Sequence, residues 1–333
     1  MTLYRDIIKE AWQITWRRRF LWFFGLFAVL LGNGGEYEIL FQNFDAISDQ
    51  QRLIYNLQNI SENGQLQIYW DNITSYFSNY TASSIGIFVL VLIVLALIVW
   101  LVVISQAGLI DSALKIKAGK NANLESGFQA GRKYFSRIFL LNLVSKVLIY
   151  TLLFLIGIPL VIFLISDESQ GWNITFSIIS FIILVPLSIV VSFVVKYASA
   201  FVVHKGQKVG TALKNSWKLF TKNWLITLEM AFVVLLINFV LGLGLIIFLG
   251  MVSIPFILLG VIFYLIGTSL GIYILGVVAT VALMAAAFVV GAFIASFQFV
   301  AWTLLYKRLL DSKDTSKIIR FFNRLPNYTK KPS

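Results

Sequence analysis

The chain has 333 residues, 59% hydrophobic and 13% charged, against about 45–50% apolar and about 25% charged in soluble domains. That balance excludes an ordinary soluble fold and predicts a single membrane domain over 1–333, with no room for a separate soluble catalytic domain. A net charge of +12 raises nucleic acid as a partner, and zero cysteines exclude disulfides, thiol catalysis and thiolate metal sites.

Charge position argues against nucleic acid. Of 27 lysines and arginines, 24 fall within residues 1–19, 111–137, 204–222 and 307–333, each segment beside a long apolar stretch. Basic segments flanking spans stay cytoplasmic. The intervening segments 33–84 and 166–173 hold Arg52 against eight acids. The asymmetry predicts a prokaryotic cytoplasmic (inner) membrane protein with both termini cytoplasmic. Its basic residues would face anionic membrane lipids.

Residues 1–32 read as an N-terminal elbow and first span. Tyr4, Ile7, Ile8, Ala11 and Trp12 follow helical spacing, and Arg5, Asp6, Lys9 and Glu10 take the other face. Arg17, Arg18 and Arg19 then meet the apolar run 20–31. Twelve residues cover only about 18 Å of a roughly 30 Å core, so the span is expected to borrow the preceding turn. The end is read as a retained anchor, because Val29-Leu30-Leu31-Gly32-Asn33 offers no small-x-small cleavage site.

Residues 33–84 are polar with two helically spaced apolar sets, Ile39, Leu40, Phe44, Ile47 and Leu66, Tyr69, Trp70, Ile73, Phe77. They predict an external helical cap. Residues 85–203 carry spans 2 to 4 (85–110, 138–165 and 174–203), the last two joined by the acidic turn 166–173. Pro159 and Pro186 are expected to bend the arms.

Residues 204–306 supply another elbow and spans 5 to 6. Glu229 is the only charge in 224–306, and basic segments on both sides require an even number of crossings. Breaks expected at 250–255 and 267–271 predict two spans flanking a re-entrant or in-plane segment. Residues 307–333 form a basic cytoplasmic tail. The fold class expected is all-α, a polytopic bundle of about six spans arranged as three hairpins.

The plan repeats. Basic amphipathic stretches at 7–20, 127–139 and 212–224 introduce the hairpins, and Arg132, Lys133, Arg137 and Lys214, Lys218, Lys222 join Arg17, Arg18 and Arg19 as headgroup-facing residues. Gln106, Lys196 and Gln298 each precede a lysine (Lys115, Lys205, Lys307) by nine residues. Ala212-Leu213-Lys214-Asn215-Ser216-Trp217-Lys218-Leu219, with Thr303-Leu304-Leu305-Tyr306, resembles the membrane domain of glycerophosphodiester phosphodiesterases and related prokaryotic polytopic membrane families. The likeness covers roughly 100–310. In that family an attached barrel hydrolyses substrate, and nothing here corresponds to it. The resemblance therefore implies an architecture rather than a reaction.

Three ionisable residues fall inside predicted spans: Lys146, Lys196 and Glu229. Such residues are costly in lipid and point to function or to pairing. With Gln106, Asn142 and Gln298 they define an expected intramembrane polar layer. It reads either as a clamp in which Glu229 pairs with a lysine, or as a water-accessible cavity for an anionic or amphiphilic solute. A single histidine, His204, leaves no Ser-His-Asp or HExxH constellation. The expectation is a non-enzymatic protein without cofactor or metal that organises lipid or a membrane-protein partner. The alternative is a carrier or flippase-like transporter.

Overall fold

A computed structural model describes residues 3–29, 82–165 and 170–311. Among them are eight helices and no strand: α1 (Leu3–Arg17), α2 (Phe20–Val29), α3 (Ala82–Lys117), α4 (Leu124–Ile165), α5 (Gln170–Lys205), α6 (Val209–Lys222), α7 (Trp224–Ile266) and α8 (Ser269–Asp311). The chain is all-α. Helices α3, α4, α5, α7 and α8 are each long and apolar enough to cross a membrane. The expected cap up to residue 81, the turn residues 166–169 and the tail beyond 311 lie outside the described residues.

The first span differs from expectation. Helix α1 ends at Arg17, Arg18 and Arg19 lie between helices, and α2 restarts at Phe20. Its ten residues measure about 15 Å. The turn holds because the Arg18 amide donates to the Ile14 carbonyl and the Leu21 amide to that of Arg18, both at 3.0 Å.

Residues 224–306 also differ. No in-plane segment interrupts them: α7 and α8 are continuous helices of 43 residues each. The expected break at 267–271 is there. Gly267 adopts φ 76°, its amide donates to the Tyr264 carbonyl at 3.1 Å, and the Thr268 amide donates to that of Phe263 at 3.2 Å. That pattern is a Schellman stop, which glycine satisfies without a Cβ penalty. The break expected at 250–255 is absent, with Pro255 inside the helix. One proline removes one donor, which a membrane helix tolerates.

The chain divides into two compact units. One comprises Met1–Leu31, Val102–Ile138 and Lys196–Ser333; the other comprises Gly32–Leu101 and Phe139–Val195. Within the first, α1 and α2 pack on α8, and α7 runs along α8. Its core gathers Phe24, Ile104, Leu109, Tyr197, Met230, Phe297 and Tyr306, all fully buried. Toward the α7–α8 turn the surface is apolar and bare, with Leu265 78% and Leu270 73% exposed. Such a surface suits lipid and not water. The second unit likewise exposes Leu90, Ile93 and Phe154 while burying Leu141 and Ser188.

Glycine sets the closest helix contacts. A Cβ on Gly25 would collide with the Ala292 carbonyl oxygen and the Ser296 hydroxyl, so α2 sits backbone-to-backbone on α8. A Cβ on Gly108 would lie 2.9 Å from the Gly127 carbonyl oxygen, and one on Gly131 2.6 Å from that of Ile104. Small residues at such crossings are the usual means of tight packing between membrane helices.

Candidate functional site

The third elbow is a helix of its own. Helix α6 buries Ala212 and Ser216, and the Ser216 hydroxyl donates to the Ala212 and Leu213 carbonyls. Its outer face carries exposed Lys214, Lys218 and Lys222, spaced four apart, with Trp217 52% and Trp224 54% exposed. Four-residue spacing keeps the lysines on one stripe. Asn223 forms the hinge: its amide reaches the Leu219 and Phe220 carbonyls at 3.2 and 2.9 Å, and its side-chain amide the Leu219 carbonyl at 3.0 Å. Thr227 continues the junction, its hydroxyl donating to the Asn223 carbonyl at 3.0 Å. The turn's polar backbone groups are thus satisfied internally, as a helix end near lipid requires.

Helix α1 is built on the same plan. Leu3, Tyr4, Ile7, Ala11 and Ile14 are buried, while Arg5, Lys9, Gln13 and Arg17 are exposed. The Trp22 indole donates to the Thr15 carbonyl at 2.9 Å, capping the end of α1 from the next helix. Arg18 and Arg19 are exposed beside it. Trp12 and Trp16 stack 6.3 Å apart and meet Phe293 edge-on at 4.9 and 5.8 Å.

The second elbow departs from that plan, because residues 127–139 are the opening turns of the 42-residue helix α4. Exposed Arg132 and Lys133 lie over the rings of Phe128 and Tyr134 at 5.5 and 5.4 Å. Arg137 has a protein partner: its guanidinium donates to the Gly206 carbonyl at 2.6 Å. Gly206, at φ 63°, follows the end of α5, so the arginine sits on the negative end of that helix dipole.

Within the first unit the polar residues join specific partners. The Tyr4 hydroxyl donates to the Glu229 carboxylate, bringing α1 onto α7. Tyr4 is 2% exposed and Glu229 half-buried. The Tyr197 and Thr227 hydroxyls share a hydrogen bond of 2.8 Å, linking α5 to α7. Buried Gln106 donates to the Ser199 hydroxyl at 3.5 Å, and half-buried Lys196 stands 4.6 Å from the centre of the Trp302 ring. Gln298 is half-buried on α8. In the second unit, Asn142 is 5% exposed and accepts the Ser145 hydroxyl on its carbonyl at 2.8 Å; Lys146, one turn on, is half-buried.

Sequence reasoning singled out Glu229 and Lys196 and expected the acid to pair with a lysine; the structure sets Glu229 on Tyr4 and Lys196 over Trp302, and the roles of Tyr4, Tyr197, Thr227 and Trp302 were missed. Tyr4 looked like one apolar-face residue among five. Nothing local marks a phenol as the partner of a carboxylate 225 positions away.

A charged cleft of about 310 Å³ lies where α1 meets the ends of α3 and α8, lined by Asp6, Glu10, Lys117, Lys307, Arg308 and Asp311 over Leu3, Ile7 and Leu304. Lys117 donates to both carboxylate oxygens of Glu10 at 2.7 Å, and Lys307 lies 3.3 Å from Asp311. The Glu10–Lys117 pair ties α1 to α3, whereas Lys307–Asp311 lies within α8. Among the described residues no three His, Asp or Glu side chains converge as metal ligands. No family model, curated protein or solved structure matches the chain.

Proposed function

We propose that this chain is a non-enzymatic membrane protein of a prokaryotic cytoplasmic membrane, both termini inside, that gathers anionic lipid on its cytoplasmic face and so organises the membrane or a partner within it. The observation that carries the reading is α6: a separate helix, anchored by a buried small-residue face, presenting Lys214, Lys218 and Lys222 between two exposed tryptophans. Lysines and tryptophans in that arrangement suit the headgroup layer. Each basic residue near an anionic surface contributes about 1 kcal/mol, so three contribute about 3 kcal/mol, or roughly 100-fold in affinity at low salt.

The test is lipid co-purification. Purified from a mixed bilayer, the natural chain carries anionic phospholipid above its bulk fraction; K214Q/K218Q/K222Q loses that enrichment while remaining folded. Equal enrichment in both proteins sinks the reading. Orientation is tested separately in this cysteine-free chain. Single cysteines at Ser48 and Ser169 should label from outside and one at Ser316 only from inside; external labelling at Ser316 contradicts the topology.

A second reading, a carrier for an amphiphilic or anionic solute, is favoured by half-buried Glu229 on the Tyr4 hydroxyl and half-buried Lys196 over the Trp302 ring. It requires that K196Q or E229Q abolish solute uptake at unchanged protein level. Loss of folded protein instead assigns those residues to stability.

A further inference from the structure

The hairpin α7–α8 is too long for a bilayer crossed upright. From Met230 to Ile266, α7 has no charge over 37 residues, about 55 Å, and α8 has none from Ser269 to Tyr306, about 57 Å. The hydrocarbon core is about 30 Å thick, or about 40 Å with its interfaces. An upright hairpin leaves at least about 15 Å of bare apolar helix in water. The exposed residues at that end are Tyr264, Leu265, Ile266, Leu270 and Tyr273, each at least 66% exposed.

A second observation bears on the same geometry. Helix α1 lies antiparallel along α8: Leu3 and Ile7 share a cleft with Leu304 and Arg308, whereas Trp12 and Trp16 meet Phe293. Its outer stripe of Arg5, Lys9, Gln13 and Arg17 is exposed over that whole length. If α8 stood upright with Lys307 at the headgroups, Arg17 would lie level with Phe293, about 21 Å inside. A charge at the centre of a span costs about 2.5–3.5 kcal/mol or more. On the α7 side, by contrast, exposed Leu228 and Phe232 run the apolar surface down to Trp224.

We infer that the α7–α8 hairpin crosses the bilayer obliquely, at about 45–60° from the normal and so beyond the usual range of about 0–40°, with α1, inclined alongside α8, entering the headgroup layer by its Arg17 end as a basic, tryptophan-edged lipid surface. Two estimates agree on the angle. Fitting about 56 Å of apolar helix into about 30–40 Å requires about 45–58°. Independently, the headgroup plane must pass Trp224 on one side and Arg17 on the other. Trp224 stands level with Asp311, because both arms are 43 residues long. Arg17 follows Trp16, which stands at Phe293. That offset is 18 residues, about 27 Å, across α7, α8 and α1, whose axes span at most about 16–20 Å at packing distances of about 8–10 Å. The slope is therefore at least about 53–59°. The lipid seen by α1 is the headgroup phosphate, and its Trp12 and Trp16 supply the aromatic edge usual at that depth.

The test compares depths in the full chain reconstituted into vesicles, with single nitroxide labels on Gln13→Cys and Phe232→Cys. Upright, residue 13 is the deeper, because it stands level with about residue 297 on α8 and residue 232 with about residue 303, roughly 9 Å apart. Oblique, the order inverts: collisions at residue 13 are dominated by a water-soluble nickel complex, and those at residue 232 by oxygen. Lys9→Cys gives the same answer as Gln13→Cys if the proposal holds. Oxygen-dominated collisions at both α1 sites overturn it. The inversion is expected in neutral and anionic vesicles alike, so it can fail or hold independently of lipid enrichment at α6.

Discussion

Gly25→Ala adds one methyl group where α2 rests on α8. The new Cβ meets the Ala292 carbonyl oxygen and the Ser296 hydroxyl, and neither can yield cheaply. The first belongs to the α8 backbone. The second is held by hydrogen bonds of 2.8 Å to the carbonyls of both Leu21 and Ala292. The two helices must separate, at about 1–3 kcal/mol for overpacking plus about 1 kcal/mol for the Ser296 to Leu21 bond. Alanine returns about 1 kcal/mol of helix propensity. The net loss is about 1–3 kcal/mol, a factor of roughly 5 to 150 in the folded ratio. The assay is the midpoint of thermal unfolding in detergent, followed by tryptophan fluorescence. Gly276→Ala is the internal control, since no atom lies within 4 Å of its Cβ position. It should hold or raise the midpoint. If the two substitutions shift the midpoint equally, the close contact of α2 on α8 is not what the glycine serves.

Tyr4→Phe and Glu229→Gln should each destabilise by about 1.5–3 kcal/mol, the range for a hydrogen bond to a charged group, and the double variant should lose much less than their sum. Additive losses in chemical unfolding would show that the two side chains do not act on each other. Glu10→Gln should cost under about 1 kcal/mol in the same assay despite its bidentate contact with Lys117, because both side chains are about a third exposed. A larger loss would mean the cleft is drier than its exposure indicates. Arg137→Gln should cost about 1 kcal/mol through its contact at the end of α5, with no change in lipid enrichment. A change in bound lipid would return Arg137 to the headgroup residues.

What could be read from the sequence was set by locally encoded physics. Lysines at 214, 218 and 222 announce their stripe by spacing alone, and Gly267, followed by Thr268 and Ser269, marks the stop between α7 and α8. Gly250 and Pro255 misled because their effect depends on surroundings: within lipid-facing α7 the helix has no better alternative and continues. The separation of α1 from α2 was hidden because Arg17, Arg18 and Arg19 are good helix formers, and nothing local marks the turn that the structure places at Arg18 and Arg19. The second elbow was read as a unit by analogy with the others. It has no counterpart of Asn223 to end it, and α4 runs through. Tyr4 on Glu229 and Gly25 on Ala292 are products of tertiary packing, with no signature in sequence.

The central claim, that α6 sits on anionic headgroups, is tested most directly by a photoreactive amino acid in place of Trp217, illuminated in a bilayer containing anionic and zwitterionic lipid. The account predicts crosslinks to lipid, weighted toward the anionic species, with the weighting lost in K214Q/K218Q/K222Q. Crosslinks without that weighting, or crosslinks to protein alone, would contradict it.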